Sequence, residues 1–253
     1  MKGVEGQMGK GKNYIENPKT KGSGILCCIP QKGVCPVGCA DCFFQSGRSF
    51  LEPLDENLPN MPSLKMSRGH VIRVNDGNDS NNNRELVLKN TEQYADKFYN
   101  TSIPRDLAGF NAPVVLTVNP GHMTHSRFHE LEVPPTNLMF VRVRVNTWNL
   151  DLVKYVVEHY TSRKVPVVLT FLAYYKTGIP ACEEKNYILR KRTLNEYRAI
   201  TTEAWRGIMK MFEDNPLVHS CGKIEGDKGS TGCKNCGNCL REYFATRERM
   251  KSV

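Results

Sequence analysis

The stretch Phe140-Val141-Arg142-Val143-Arg144-Val145-Asn146 alternates strictly between apolar and polar residues after its first aromatic. A strand places successive side chains on opposite faces, so three valines share one face. Phe140, Arg142, Arg144 and Asn146 share the other. The centre of a doubly wound sheet is covered by helices on both sides and needs two apolar faces. A barrel strand needs only its outer face apolar, because a ligand can occupy the inside. An edge strand facing water would alternate in the same way. The neighbouring stretches argue against an edge, since they repeat the pattern. Ile72 and Val74 oppose Arg73 and Asn75, and Val114, Leu116 and Val118 oppose Thr117 and Asn119. These strands together predict a polar lumen lined by Arg73, Asn75, Thr117, Asn119, Arg142, Arg144 and Asn146.

Working outward, apolar and β-branched runs predict strands at 25–29, 70–76, 113–119, 138–146, 165–172 and 217–221, about six in all. Helical spacing predicts helices over 84–99, 150–162 and 194–212. Alternating strands and helices imply an α/β fold with a parallel, helix-covered sheet. Residues 1–23, rich in Gly, Lys and Asn, read as a flexible basic arm. The barrel then occupies 24–220, and a Cys-rich extension follows at 221–253.

The chain has 253 residues, enough to bury a core without disulfide staples. Its formal net charge is +9, which suits an anionic partner or simply a soluble basic surface. No apolar run is long enough to span a bilayer. The first residues lack the apolar centre of a secretory signal, so a cytoplasmic location is expected. Ten cysteines are many for a reducing compartment, and seven of them fall in two groups. Clustered, reduced cysteines point to metal or iron–sulfur ligation.

The first group is Cys35-Pro-Val-Gly-Cys39-Ala-Asp-Cys42, a C-x3-C-x2-C loop. Three soft thiolates suit iron–sulfur or zinc, but structural zinc prefers four ligands. Three thiolates can hold three irons of a cubane and leave the fourth open. On these residues the chain resembles the radical S-adenosylmethionine superfamily, whose signature has this spacing after the first strand of a partial (β/α)6 barrel. The resemblance runs through about residue 221. It implies a [4Fe–4S] cluster on Cys35, Cys39 and Cys42, S-adenosylmethionine as co-substrate and an external one-electron reductant. It further implies cleavage to a 5′-deoxyadenosyl radical that abstracts hydrogen from a substrate in the lumen. One departure is Asp41, where the family has an aromatic residue near adenine; Phe43 and Phe44 come after the third cysteine.

The family's second strand ends in a turn that meets the methionine ammonium. The matching residues are Asn75, Asp76, Gly77 and Asp79, which also suit an ordinary polar turn. Arg142, Arg144 and Asn146 resemble the family's fourth-strand polar residues, which would hold the cofactor's carboxylate and ribose, and Asn119, from the same inferred lumen, is a further cofactor-binding candidate. An arginine suits a carboxylate because it donates two parallel hydrogen bonds. Lumen arginines paired with carboxylates elsewhere would look the same in sequence.

The second group is Cys221 with Cys233-Lys-Asn-Cys236-Gly-Asn-Cys239. Consecutive C-x2-C spacing is typical of iron–sulfur loops, and the resemblance implies an auxiliary [4Fe–4S] cluster there. A closed zinc site of four thiolates is the alternative. Gly222, Gly226, Gly229, Gly232 and Gly237 let the chain wrap a metal. Three other signals carry less. His122, His125 and His129 lie on no clear helix, Cys27, Cys28 and Cys182 read as buried thiols, and the run Arg190-Lys191-Arg192 reads as a solvated helix start. The rival function is a non-catalytic, metal-stabilised module recruiting nucleic acid through its positive charge, although no nucleic-acid motif is present. The substrate is unidentified, and the basic charge suits an anionic one.

Overall fold

The computed structural model describes residues 13–39, 42, 44, 49–119, 131–171, 174, 178–191, 196–226 and 232–252. The predicted histidine trio, Asp41, Phe43, Arg192 and the first half of the basic arm lie outside them. The strands are β1 (Ile25–Cys28), β2 (Val71–Val74), β3 (Lys97–Thr101), β4 (Val114–Val118), β5 (Leu138–Val145), β6 (Val167–Phe171), β7 (Tyr187–Lys191), β8 (Glu196–Ile200) and β9 (Val218–Cys221). The helices are α1 (Leu54–Asn57), α2 (Leu64–Ser67), α3 (Arg84–Thr91), α4 (Leu150–Thr161), α5 (Thr202–Lys210), α6 (Cys233–Cys236) and α7 (Asn238–Lys251).

Seven strands form one parallel sheet in the order β1-β2-β3-β4-β5-β6-β9, curled into a half-barrel. The α/β class and the partial barrel geometry agree with the sequence. Val141, Val143 and Val145 lie in the larger apolar cluster, with Ile72, Val74, Leu116 and Leu169. Val87 of α3, Val153 and Tyr160 of α4, and Trp205 and Ile208 of α5 cover this convex face. The facing read from β5 therefore holds along its neighbours. No helix among the described residues is long and apolar enough to cross a membrane.

Two predicted helices are corrected. The stretch 84–99 is a helix only to Thr91; Lys97–Thr101 is the strand β3, between β2 and β4. Phe98, Tyr99 and Thr101 favour a pleated surface, and the slot between two parallel strands supplies every backbone partner. The stretch 194–212 splits at Thr201, whose side chain accepts from the amide of Ala204 and caps α5. The residues before the cap form β8, antiparallel to β7. Arg190 and Lys191 thus lie on a strand, not at a helix start.

The concave face differs from the polar lumen expected. Its lower half is apolar: Ile25, Val71, Phe98, Val115, Phe140 and Val168 pack together. The C-terminal helix α7 fills that half with Cys239 and Tyr243. The Tyr243 hydroxyl donates to Asp96 at 2.9 Å, and Arg249 donates to the carbonyls of Thr136 and Leu138. Most inward-facing polar groups of the strands lie in the half nearer their C-terminal ends; His219, in register with Val168 and 3.9 Å from Glu242 of α7, is an exception lower down.

Candidate functional site

The cysteine loop leaves the C-terminal end of β1 and is tied to the loop after β2. Gln31 donates through Nε2 to the carbonyl of Asp79 at 2.8 Å, and Asn78 donates to the carbonyl of Gly33 at 3.2 Å. Cys35, Cys39 and Cys42 are all half-buried. The amide of Cys42 donates to the carbonyl of Cys39 at 3.3 Å. Burial pushes the Cys35 thiol up to about 11, and Asp79, Cys39 and Cys42 add to that rise against a hydrogen bond from Val37. The three thiols thus share one electrostatic neighbourhood, on a loop rather than in the core.

Gly77 earns its place by packing. A Cβ there would stand 2.5 Å from Cδ2 of Phe44, the buried ring two residues beyond Cys42. This contact seats the cysteine loop on the β2 turn. Asn75, with φ 55°, takes the left-handed conformation that starts that turn.

Both carboxylates of the turn are engaged internally. Asp76 accepts from Arg73 at 2.7 Å, from Asn17 at 2.5 Å and from the Cys27 thiol at 3.1 Å. Asp79 accepts from the amides of Ser102 and Asn81 and from the Thr101 hydroxyl, which ties the turn to the end of β3. Burial still raises the Asp79 pKa against those donors. Asn146 accepts from the amide of Trp148 and closes its own turn. Arg144 is half-buried on the same face of β5 as Arg142.

Buried polar atoms without a hydrogen-bond partner concentrate here. Eight occur among the described residues, and five belong to Gln31, Arg73, Asn75, Asn119 and Thr170. All five residues lie on the concave face or at the C-terminal ends of its strands. A buried orphan costs about 1–3 kcal/mol, so these atoms call for a partner from water or a bound molecule. A shallow cleft of about 710 Å³ beside β9, lined by Trp205, Met209 and Phe212, contains no cysteine.

The second cysteine group closes over the middle of the concave face. Cys221 ends β9, and Gly222, with φ 80°, lets the chain pass the carbonyl of Phe171, which a Cβ would approach to 2.7 Å. Cys233 and Cys236 bound the single turn α6, and the amide of Cys233 donates to the carbonyl of Lys19 at 2.8 Å. Cys239 opens α7 and is buried. A hydrogen bond between the Cys221 and Cys236 thiols raises the pKa of the first and lowers that of the second. Burial raises the Cys239 thiol, opposed first by Arg142 and then by Arg73. Arg73 Nη1 donates to the sulfur of Cys233 at 3.5 Å and Nη2 to that of Cys27 at 3.5 Å.

Among the described residues, no set of three or more His, Cys, Asp or Glu side chains stands ready to hold a metal. The thiols converge on neighbourhoods rather than closed centres. Their donor chemistry nonetheless suits iron–sulfur or zinc: soft thiols, three on one loop and four shared between the end of β9, α6 and the start of α7. Cys28 is fully buried as expected, whereas Cys182 is exposed. The sequence reading did not connect Cys27 and Arg73 to the second group, although their period-two positions on β1 and β2 point them inward. No protein-family model, curated protein or solved structure matches the chain.

Proposed function

We propose that this chain is a radical S-adenosylmethionine enzyme with a second metal centre inside its half-barrel. The observation that carries the reading is the placement of Cys35, Cys39 and Cys42. They share one loop off the C-terminal end of β1, seated by Phe44 on Gly77 of the turn after β2, and orphaned polar atoms of Gln31 and Asn75 belong to that loop and the start of that turn. A [4Fe–4S] cluster held by those three thiolates would supply one electron to a sulfonium and keep one iron open for its amino and carboxylate groups.

The chain's own residues have narrower tasks. Asp76 and Asp79 hold the turn through internal partners, so they brace the site rather than reach into it. The unpaired oxygens of Gln31 and Asn75 are acceptors suited to an ammonium or ribose hydroxyl, and the unpaired amide of Asn119 is a donor suited to a ring nitrogen or carboxylate. Arg144, nearer the strand ends than Arg142, suits a carboxylate. Helix α7 fills the lower concave face and excludes water from beneath. A substrate therefore enters from the C-terminal ends of the strands.

The test is anaerobic purification with iron and sulfide analysis, followed by an assay for 5′-deoxyadenosine under reducing conditions. Brown protein that forms 5′-deoxyadenosine supports the proposal. Colourless protein containing only zinc would favour the metal-stabilised binding module.

A further inference from the structure

We infer that Arg142 is the counter-cation of the second metal centre, with Arg73 donating a hydrogen bond to one of its sulfurs. This rests on reading Cys221, Cys233, Cys236 and Cys239 as metal ligands. Four thiolates around a divalent metal, or around a cubane core of the same charge, leave a net charge of about −2. Here that charge would sit against Phe98, Phe140 and Tyr243, an apolar floor that solvates an anion poorly. A buried charge of this kind requires a nearby opposite charge.

Arg142 supplies it. Its guanidinium lies 5.7 Å from the centroid of the Phe140 ring, and Cys239 and Cys221 pack in the apolar cluster that contains that ring. Its Nη1 donates to Oδ1 of Asn100 at 3.2 Å, which aims it across the concave face. Among the described residues no carboxylate pairs with it within 4.0 Å. Arg73 approaches from β2. Asp76 balances its charge, but Nη1 still donates to Cys233, and Nε is buried without a partner. One arginine thus offers uncompensated charge, and the other offers a donor.

The experiment uses the full chain with Cys35, Cys39 and Cys42 changed to Ser, so that only the second group binds metal. Cobalt(II) is the probe, read anaerobically by its thiolate charge-transfer bands and by competition with a chelator. Arg142→Gln should weaken cobalt affinity about tenfold, the lower end for residues that support metal ligands. Arg142→Lys should recover most of that loss, because it keeps the charge. Asn100→Ala should show a smaller loss in the same direction. Arg73 is buried in an ion pair, so its substitution can unfold the chain, and the Arg142 and Asn100 variants carry the test. Wild-type affinity in Arg142→Gln would overturn the inference and leave the metal reading intact. So would lost S-adenosylmethionine affinity, in the chain with all cysteines, beside unchanged cobalt affinity. Cobalt uptake that ignores Cys236→Ala would remove the metal reading and the inference with it.

Discussion

Arg73 Nη1 lies 3.5 Å from the sulfur of Cys233, a contact that spans 160 positions of sequence. The same guanidinium holds Asp76 at 2.7 Å. One buried side chain thus joins the turn after β2 to the second cysteine group. The loop that carries Cys35, Cys39 and Cys42 is seated on that turn, so the two groups share a support.

The first expectation concerns the cysteine loop. Cys39 is half-buried and outside the apolar clusters. Cys39→Ala should therefore abolish 5′-deoxyadenosine formation while changing the stability of the metal-free protein by less than about 0.5 kcal/mol, as for surface substitutions. Undiminished cleavage under reducing conditions would sink the assignment of this loop.

Iron content separates the two groups. If both hold cubanes, Cys236→Ala should lower iron by about half. S-adenosylmethionine binding, measured by equilibrium dialysis, should persist. Constant iron with a fall in zinc would make the second centre structural zinc.

Strand β5 should show two phenotypes with period two. Val143 is fully buried under the helices, and Val143→Ala should cost about 1–3 kcal/mol by removing core methyl groups. Arg144→Ala should leave the thermal midpoint nearly unchanged and weaken S-adenosylmethionine binding by about 1.5–3 kcal/mol, the range for a hydrogen bond to a charged group. Valine variants that lose affinity at unchanged stability would invert the facing.

Gly77 and Phe44 should be energetically coupled. A methyl at Gly77 collides with the Phe44 ring, and overpacking of this kind costs about 1–3 kcal/mol. Denaturant unfolding of Gly77→Ala, Phe44→Ala and the double variant completes the cycle. The double variant should lose less than the sum of the singles. Simple additivity would show that the two loops do not press on one another.

The C-terminal helix should behave as part of the core. Removing the Tyr243 hydroxyl, which donates to Asp96, should cost about 1 kcal/mol in Tyr243→Phe. Tyr243→Ala should cost about 3–5 kcal/mol, because the ring is fully buried on the concave floor. Chemical denaturation of the two variants measures both values. An unchanged midpoint in Tyr243→Ala would mean that the helix does not pack inside the half-barrel.

Much of the architecture was legible in residue order alone, because side-chain direction in a strand is local. The alternation of β5 decided which residues face the helices, and its repetition along β2 and β4 implied a curled sheet with a distinct inside. The position of Cys35, Cys39 and Cys42 after β1 placed a thiol-bearing loop at the C-terminal end of that sheet's strands. Tertiary structure decided the rest. Lys97–Thr101 continues a helical spacing in sequence, and only the open slot between β2 and β4 makes it a strand. Arg142 reads in sequence as a partner for a cofactor carboxylate; that its guanidinium lies over the Phe140 ring, in whose apolar cluster Cys239 packs, is a relation no local pattern carries. The apolar floor under that group likewise has no local signature. Phe98 and Tyr243 meet across 145 positions, with ring centroids 6.3 Å apart. Periodicity states which face of an element is apolar, but only the folded chain states which distant face covers it.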